Sequence, residues 1–170
     1  MNQEPSKPTS SWQRRILLGA PFVLAQAPQG LWVSWDILEP DTCASVWLIK
    51  RHVDPKAVFR FLPRGTAISE GTPFDTPDAK LRRYATLATY ESILKEFKIT
   101  DRAAVEIGVM MHEIEINKWA RKSTAESIEV ERRIREITAA AKNHEQLIEN
   151  TNAYFDQLAA EIGKRLGRNK

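Results

Sequence analysis

Cysteine is almost absent from this sequence, since Cys43 is the only one in 170 residues. A single thiol excludes an intramolecular disulfide framework and any zinc or iron–sulfur site held by several thiolates, so packing must stabilise the fold. An excess of one charge is also lacking, because 25 basic and 22 acidic residues are intermixed and leave a net charge of +3. That balance is typical of an ordinary solvated surface and not of a nucleic-acid-binding one.

The sequence also lacks the glycine motifs of dinucleotide-binding and phosphate-binding loops, and it contains no internal repeat. Its hydrophobic content of 42% over 170 residues is typical of one globular domain that can bury a sizeable core. The apolar run ILLGAPFVLA near the N-terminus is far too short to span a bilayer, so we expect no transmembrane span.

Residues 1–29 differ in composition from the rest of the chain. A polar, basic stretch is followed by that apolar run and then by Ala25-Gln26-Ala27, which is the order of a secretory signal. Glu4 in the polar stretch and Pro21 in the apolar run argue against export. Two interpretations stay open: a signal-like segment on a protein exported to the periplasm, or a disordered segment on a cytoplasmic protein.

From residue 30 onward the pattern predicts a small α/β (α+β) domain that is mainly helical, with a short sheet. Residues 31–37, LWVSWDI, are rich in β-branched and aromatic residues and predict a strand. Asp41 is a candidate N-cap for a helix through residues 43–53, CASVWLIKRHV. Residues 57–62 alternate in polarity and predict a second strand with Arg60 on its wetter face.

Residues 63–78 predict a loop, because three prolines and two glycines exclude regular structure over most of that length. A helix is then expected over residues 87–99. The next helix begins at Thr100-Asp101 and is expected to turn one set of residues inward: Ala104, Val105, Val109, and Met111 or His112.

Residues 125–166 carry no glycine or proline before Gly163 and repeat apolar residues at near-heptad spacing. His144 and Thr151 interrupt that apolar seam, which favours two packed helices over one unbroken coiled coil. Asn143, followed three residues later by Gln146, is a candidate cap for the second helix. This long C-terminal helical pair is also a candidate surface for homo-oligomer formation.

Several separated pieces occur here in one order: WVSWDILEPDTCASVWLIKRHVDPKAVFRFLP, TPFD, ATYESIL, MMHEIEI, AESIEVERRI and FDQL. Together they resemble the C-terminal domain of the ChrB chromate-resistance proteins, sometimes called chromate resistance exported proteins. The resemblance runs from about Gly30 to Leu166 and implies one ChrB C-terminal-like domain over residues 30–167. It also implies a bacterial stress-response role related to chromate resistance.

The chain departs from this family pattern at two positions. Many relatives carry a histidine shortly after the Phe-Asp pair, where this chain has Arg83, so a possible metal ligand is replaced by a fixed cation. Some relatives carry a cysteine where this chain has Ser45. Cys43 is offset from that position by two residues, so we expect it to be a small buried hydrophobe and not a redox centre.

Four residues are candidate ligands for a divalent or redox metal. His112 and Glu115 are three residues apart and would share one face of a helix. A tight centre needs three or four ligands, and Asp41 and Asp75, with Asp54 and Glu91 as further candidates, would complete it if the fold brings them close. The alternative is that His112 is a structural residue on an amphipathic helix.

Three arginines, Arg51, Arg82 and Arg83, are candidate anion-binding residues. Chromate is a small dianion that guanidinium groups can hold through paired hydrogen bonds. The alternative is that the run KLRR, residues 80–83, is a solvated stretch of charge before a helix.

Three functions therefore remain open. The first, implied by the resemblance, is a binding or sensory domain for chromate or oxyanion stress that lacks the DNA-binding part of its full-length relatives. Residues before Gly30 are too few for a helix-turn-helix domain, so we expect no direct contact with nucleic acid. The second is a metal-dependent redox enzyme acting on chromate or reactive oxygen, although no complete catalytic constellation is visible. The third is a non-catalytic, partner-binding helical protein.

Overall fold

The computed structural model of the chain describes residues 30–117 and 124–168. The signal-like segment of residues 1–29 lies outside the described residues, so neither interpretation of it is tested.

The sheet has three parallel strands in the order β2-β1-β3. The central strand β1 (Leu31–Trp35) pairs with β2 (Val58–Leu62) on one side and with the short β3 (Thr72–Pro73) on the other. Its inner residues Trp32 and Val33 are buried, as expected for a strand covered on both faces. The extra strand β3 falls inside the predicted loop and is only two residues long.

Gly71, just before β3, has a positive φ of 76°, which glycine adopts without strain. A Cβ atom there would lie 2.8 Å from the Leu31 carbonyl oxygen, so only glycine lets the two strands approach this closely. This glycine therefore fixes how β3 enters the sheet.

The described residues form five α-helices: α1 (Pro40–Leu48), α2 (Thr89–Glu96), α3 (Arg102–Glu115), α4 (Ala125–Ala140) and α5 (His144–Arg168). A π-helical turn, Ile49–Val53, extends α1, so the predicted continuous helix through residue 53 is confirmed. Helix α1 links the parallel strands β1 and β2, and every one of its residues is buried. It packs against α2, α3, α4 and α5 and forms the centre of the domain. The predicted class, a mainly helical α+β domain with a short sheet and a C-terminal helical pair, is confirmed.

The predicted break between the last two helices is confirmed, because α4 ends at Ala140 and α5 begins at His144. The Asn143 side-chain oxygen accepts a hydrogen bond from the Gln146 N–H at 2.8 Å, as a capping residue should. The apolar residues Phe155, Leu158 and Ile162 of α5 belong to the hydrophobic core. The oligomer prediction for this helical pair stays a prediction.

The prediction of which residues of α3 face inward is wrong in part. Val105 and Val109 are 43% and 52% exposed. The buried face instead runs through Ala104, Ile107, Met111 and Ile114, because α2 and α1 cover that side of the helix. Two valines four residues apart fit either face of the pattern, so the sequence alone did not distinguish them.

The prediction that Asp41 caps its own helix is also wrong. Helix α1 begins at Pro40, whose fixed φ and missing N–H suit the first helical position, and Glu39 occupies the N-cap. The Asp41 side chain is therefore inside the first turn, and its carboxylate is directed toward a different helix.

None of the described helices combines the length and the apolar character that crossing a membrane would require.

Candidate functional site

The Asp41 carboxylate caps helix α2. Its Oδ2 accepts a hydrogen bond from the Thr89 N–H at 2.7 Å, and its Oδ1 accepts one from the Tyr90 N–H at 3.0 Å. Helix α2 needs this external acceptor, because Ala88 at its N-cap has no polar side chain. Asp41 thus ties the first turn of α1 to the first turn of α2, and it is only 4% exposed.

Asp75 lies beside this junction, immediately after β3 and Phe74. Its Oδ1 accepts a hydrogen bond from the Thr89 hydroxyl at 2.5 Å, and its Oδ2 is hydrogen-bonded to the Thr42 hydroxyl. The backbone of Asp75 has a positive φ of 52°, which is uncommon for a residue with a side chain. The carboxyl ends of parallel strands are where open α/β sheets place ligand sites, and Asp75 occupies that edge.

The two aspartates share an environment that disfavours charge. Burial raises the pKa of Asp41 well above its ordinary value, and the neighbouring charges of Asp75 and Glu115 raise that pKa further. Burial also raises the pKa of Asp75, opposed by the hydrogen bonds from Thr42 and Thr89. Perturbed carboxyl groups that face one another are a common property of functional sites.

Asp41, Asp75 and Glu115 form an acidic cluster. Arg83 connects this cluster to the surface. Its guanidinium donates to the Glu115 carbonyl oxygen at 2.5 Å and lies 3.3 Å from the Glu115 carboxylate. The Glu115 side chain is 11% exposed, whereas the Arg83 side chain is 53% exposed. The Arg83 cation therefore compensates a nearly buried carboxylate and still reaches solvent.

His112 contacts the first turn of helix α2. The His112 Nδ1 lies 2.8 Å from the Glu91 Oε2, and that same oxygen accepts a hydrogen bond from the Ala88 N–H at 2.8 Å. His112 thus packs its polar edge against the first turn of α2, while Glu115 contacts Arg83 at the end of α3.

The four candidate metal ligands are only partly brought together. Asp41, Asp75 and Glu115 are close enough to influence one another's charge, and His112 pairs with Glu91. Within residues 30–117 and 124–168, no group of three or more His, Cys, Asp or Glu side chains has the arrangement of a metal site. The metal assignment stays a prediction, and metal analysis of the purified protein beside His112→Ala is its direct test.

The three candidate anion-binding arginines divide into two locations. Arg82 and Arg83 line one cavity of about 420 Å³ together with Asp75, Thr76 and Pro77. Arg51 is instead held by the Asp156 carboxylate on α5, through contacts of 2.8 and 2.6 Å. That carboxylate also accepts a hydrogen bond from the Trp47 indole at 2.8 Å, so Arg51 belongs to a contact between α5 and α1.

Cys43 has the properties expected of a structural residue. It is 2% exposed, and burial raises its pKa to about 12. The thiol therefore stays protonated at neutral pH and is a poor nucleophile.

The threonines of this site are not predicted by the sequence pattern. Thr42 and Thr89 hold Asp75, and the buried Thr76 lines the arginine cavity. Thr89 lies in the piece ATYESIL that carries the family resemblance, which was the one available signal. Threonines otherwise have no spacing that distinguishes a ligand-holding hydroxyl from a capping or packing one.

The family model described as ChrB, C-terminal domain, matches residues 32–162. No curated protein and no solved structure matches the chain significantly. The matched region includes β2 and all of β1 except Leu31, and it also includes Arg82, Arg83 and the three acids Asp41, Asp75 and Glu115. The chain belongs to the ChrB C-terminal domain family and has a role related to chromate resistance.

Proposed function

We propose that this domain binds a small oxyanion such as chromate in the cavity between Arg82 and Arg83. The observation that carries the proposal is that both arginines line one cavity at the carboxyl edge of the sheet. Guanidinium groups bind tetrahedral oxyanions through charge-assisted hydrogen bonds, which are shorter and stronger than neutral ones. The cavity volume of about 420 Å³ is ample for an ion of that size.

Both arginines are oriented before any anion arrives. The Arg82 guanidinium donates to the Pro77 carbonyl oxygen and lies 4.8 Å from the centre of the Tyr84 ring. Arg83 uses two of its five N–H donors on Glu115, so donors remain for a ligand. A side chain that is already held in place loses less conformational entropy when it binds a ligand.

The cavity has an acidic wall, and an anion binds beside it only if the negative charge of that wall is offset. Asp75 supplies that wall, and burial raises the pKa of its carboxyl group. Both carboxylate oxygens are also engaged by the hydroxyl groups of Thr42 and Thr89. The hydroxyl groups of Thr42 and Thr89 donate to this carboxyl group, and the nearby charge of Arg83 offsets its negative charge.

Isothermal titration with chromate and with sulfate tests this proposal. Both are tetrahedral dianions, so an oxyanion cavity should bind both, and a difference in affinity would measure its selectivity. The heat should saturate at one anion per chain. Absence of heat from both anions would contradict the proposal.

The proposed site is compatible with a sensory role and with a storage role. The binding function is favoured over thiol chemistry because the single thiol is buried and protonated.

A further inference from the structure

A second cavity lies where the parallel strands of the sheet end. Strand β1 ends at Trp35 and β3 ends at Pro73, and both residues line a cavity of about 370 Å³. The loops that follow β2 and β3 complete the lining with residues 65–68 and with Thr76, Asp78 and Ala79. Open sheets of parallel strands place their ligand sites at this carboxyl edge, and the volume is within the range of small-molecule sites.

A tight turn after β2 fixes the position of Trp35. The Thr66 N–H donates to the Pro63 carbonyl oxygen at 3.0 Å, and Gly65 supplies the positive φ of 85° inside this turn. The Trp35 indole N–H donates to the Thr66 carbonyl oxygen at 2.9 Å. The indole is therefore attached to the turn, and its one polar group is already satisfied.

A second tight turn presents Asp78. The Ala79 N–H donates to the Thr76 carbonyl oxygen at 3.0 Å, with Pro77 and Asp78 at the centre of the turn. Proline has the fixed φ that suits the first central position. Thr76 and Ala79 are buried and anchor both ends of the turn, whereas Asp78 is exposed. The backbone of Asp78 is therefore held in place before any ligand binds.

The Asp78 carboxylate is available to a ligand. In the part of the chain that the structure describes, it is the one charged group in the lining of this cavity, and it makes neither a hydrogen bond nor an ion pair. The basic residues that follow it contact other groups, because Lys80 pairs with Glu96 and Arg82 donates to the Pro77 carbonyl oxygen. A cation in the cavity would therefore meet a carboxylate without a competing partner.

The rest of the lining is mostly apolar. Trp35 is its aromatic residue, and Ala67, Ile68, Pro73 and Ala79 are aliphatic. Aromatic rings attract cations through the negative potential of their faces, most strongly in tryptophan. A carboxylate beside aromatic and aliphatic surface complements an ammonium group attached to an apolar body.

We propose that this second cavity binds an organic monocation, a protonated amine with an apolar body. The ammonium group pairs with the Asp78 carboxylate, and the apolar body lies against Trp35 and Ile68. No contact of Arg82 or Arg83 enters this proposal, so it does not depend on the oxyanion site.

The test is a calorimetric titration of the full chain at neutral pH with phenethylamine and with 2-phenylethanol. The alcohol has nearly the same shape and carries a hydroxyl group in place of the ammonium group. Phenethylamine should saturate at one molecule per chain and bind about fivefold more tightly than the alcohol, because only the amine is a cation. No saturable binding of phenethylamine, or equal affinity for the two ligands, would overturn the proposal.

The variant Asp78→Asn tests the position of the ammonium group. It keeps the size of the side chain and removes its charge, so phenethylamine should bind about threefold more weakly while 2-phenylethanol binds as before. Glu161→Gln removes an exposed carboxylate from α5, changes the net charge equally and should leave both affinities unchanged. Melting curves verify that both variants are folded. Unchanged phenethylamine affinity in Asp78→Asn, or an equal loss in Glu161→Gln, would refute the pairing with Asp78.

Discussion

The Asp41 carboxylate accepts a hydrogen bond from the Thr89 N–H at 2.7 Å, across 48 residues of sequence. This contact joins the helix that follows β1 to the helix that follows the loop carrying Asp75, Arg82 and Arg83. The same threonine holds Asp75 through its hydroxyl group. The geometry of the arginine cavity therefore depends on a junction between two helix N-termini.

Replacing Asp41 should show how much this junction stabilises the domain. Asp41→Ala leaves two buried N–H groups of α2 without their acceptor, and we expect a loss of about 2 kcal/mol in the free energy of unfolding. Asp41→Asn keeps one acceptor oxygen and should lose less. Urea denaturation at neutral pH measures both, with Asp101→Ala as a control that removes the local cap of α3. Equal stability of Asp41→Ala and the parent would contradict this role.

The pH dependence of stability should carry the signature of the raised Asp41 pKa. The unfolded chain loses this proton near the ordinary pKa of 3.8, while the folded protein holds it to a higher pH. Between those two values the folded state binds more protons, so the contribution of Asp41 to stability falls as pH rises through that window.

Comparison with Asp41→Asn isolates this contribution from other acids. The difference in the free energy of unfolding between the parent and Asp41→Asn is measured by denaturation at a series of pH values. This difference should shrink as pH rises above about 4 and then level off. The paired groups Asp54, Glu113 and Asp156 have lowered pKa values and contribute the opposite slope to both proteins equally. A cost that is constant with pH would mean that Asp41 ionises normally.

The contact between Asp156 and Trp47 should stabilise the attachment of α5. Asp156→Ala removes the acceptor of the Trp47 indole, whose side chain is 2% exposed, and it removes the partner of Arg51. We expect a loss of about 1–2 kcal/mol, mostly from the unpaired indole, because the ion pair is well exposed. Glu129→Ala breaks an exposed pair with Arg132 and should change stability much less than Asp156→Ala does. Thermal denaturation measures the stability of both variants. Equal losses of stability in Asp156→Ala and Glu129→Ala would refute this ranking.

Removal of residues 143–170 should unfold the domain and not merely release a partner. Helix α5 contributes Phe155, Leu158 and Ile162 to the core, and each buried side chain of this size is worth about 1.5–3 kcal/mol. Their sum approaches the whole stability of a typical domain. Circular dichroism of the truncated chain should show loss of cooperative melting. A cooperatively melting, truncated monomer would contradict the packing described here and would favour an oligomer role for α5.

Because the truncated chain should unfold, the prediction of a homo-oligomer has to be tested on the intact chain. Size-exclusion chromatography with light scattering of the parent protein gives the mass directly. A stable dimer would then be assigned to a surface by substitutions on exposed positions of α4 and α5, which leave the core unchanged.

The sequence was sufficient for the features that depend on local pattern. The alternation at Arg60, the break near Asn143 and the helix start at Asp101 follow from neighbours within a few residues. The structure confirms all three. The prediction that Cys43 is a small buried hydrophobe is also confirmed.

The remaining features depend on contacts that are distant along the chain. Asp41 was placed at its own helix N-terminus because an aspartate before an apolar run fits that position, and only the fold shows that α2 uses it instead. His112 and Glu115 are three residues apart, but His112 contacts Glu91 of α2 and Glu115 contacts Arg83 in the loop before α2. Spacing predicts a shared face, and only tertiary packing decides what that face meets.

The most direct test of the account is a chromate titration of the parent protein and of the double variant Arg82→Ala/Arg83→Ala. The parent should bind one anion per chain, and the double variant should bind at least about tenfold more weakly, because two charge-assisted contacts are lost. Arg102→Ala, an exposed arginine at the start of α3, should keep the parent affinity. Melting curves of all three proteins verify that each is folded. Saturable binding that the double variant retains at the parent affinity would contradict the proposed oxyanion site.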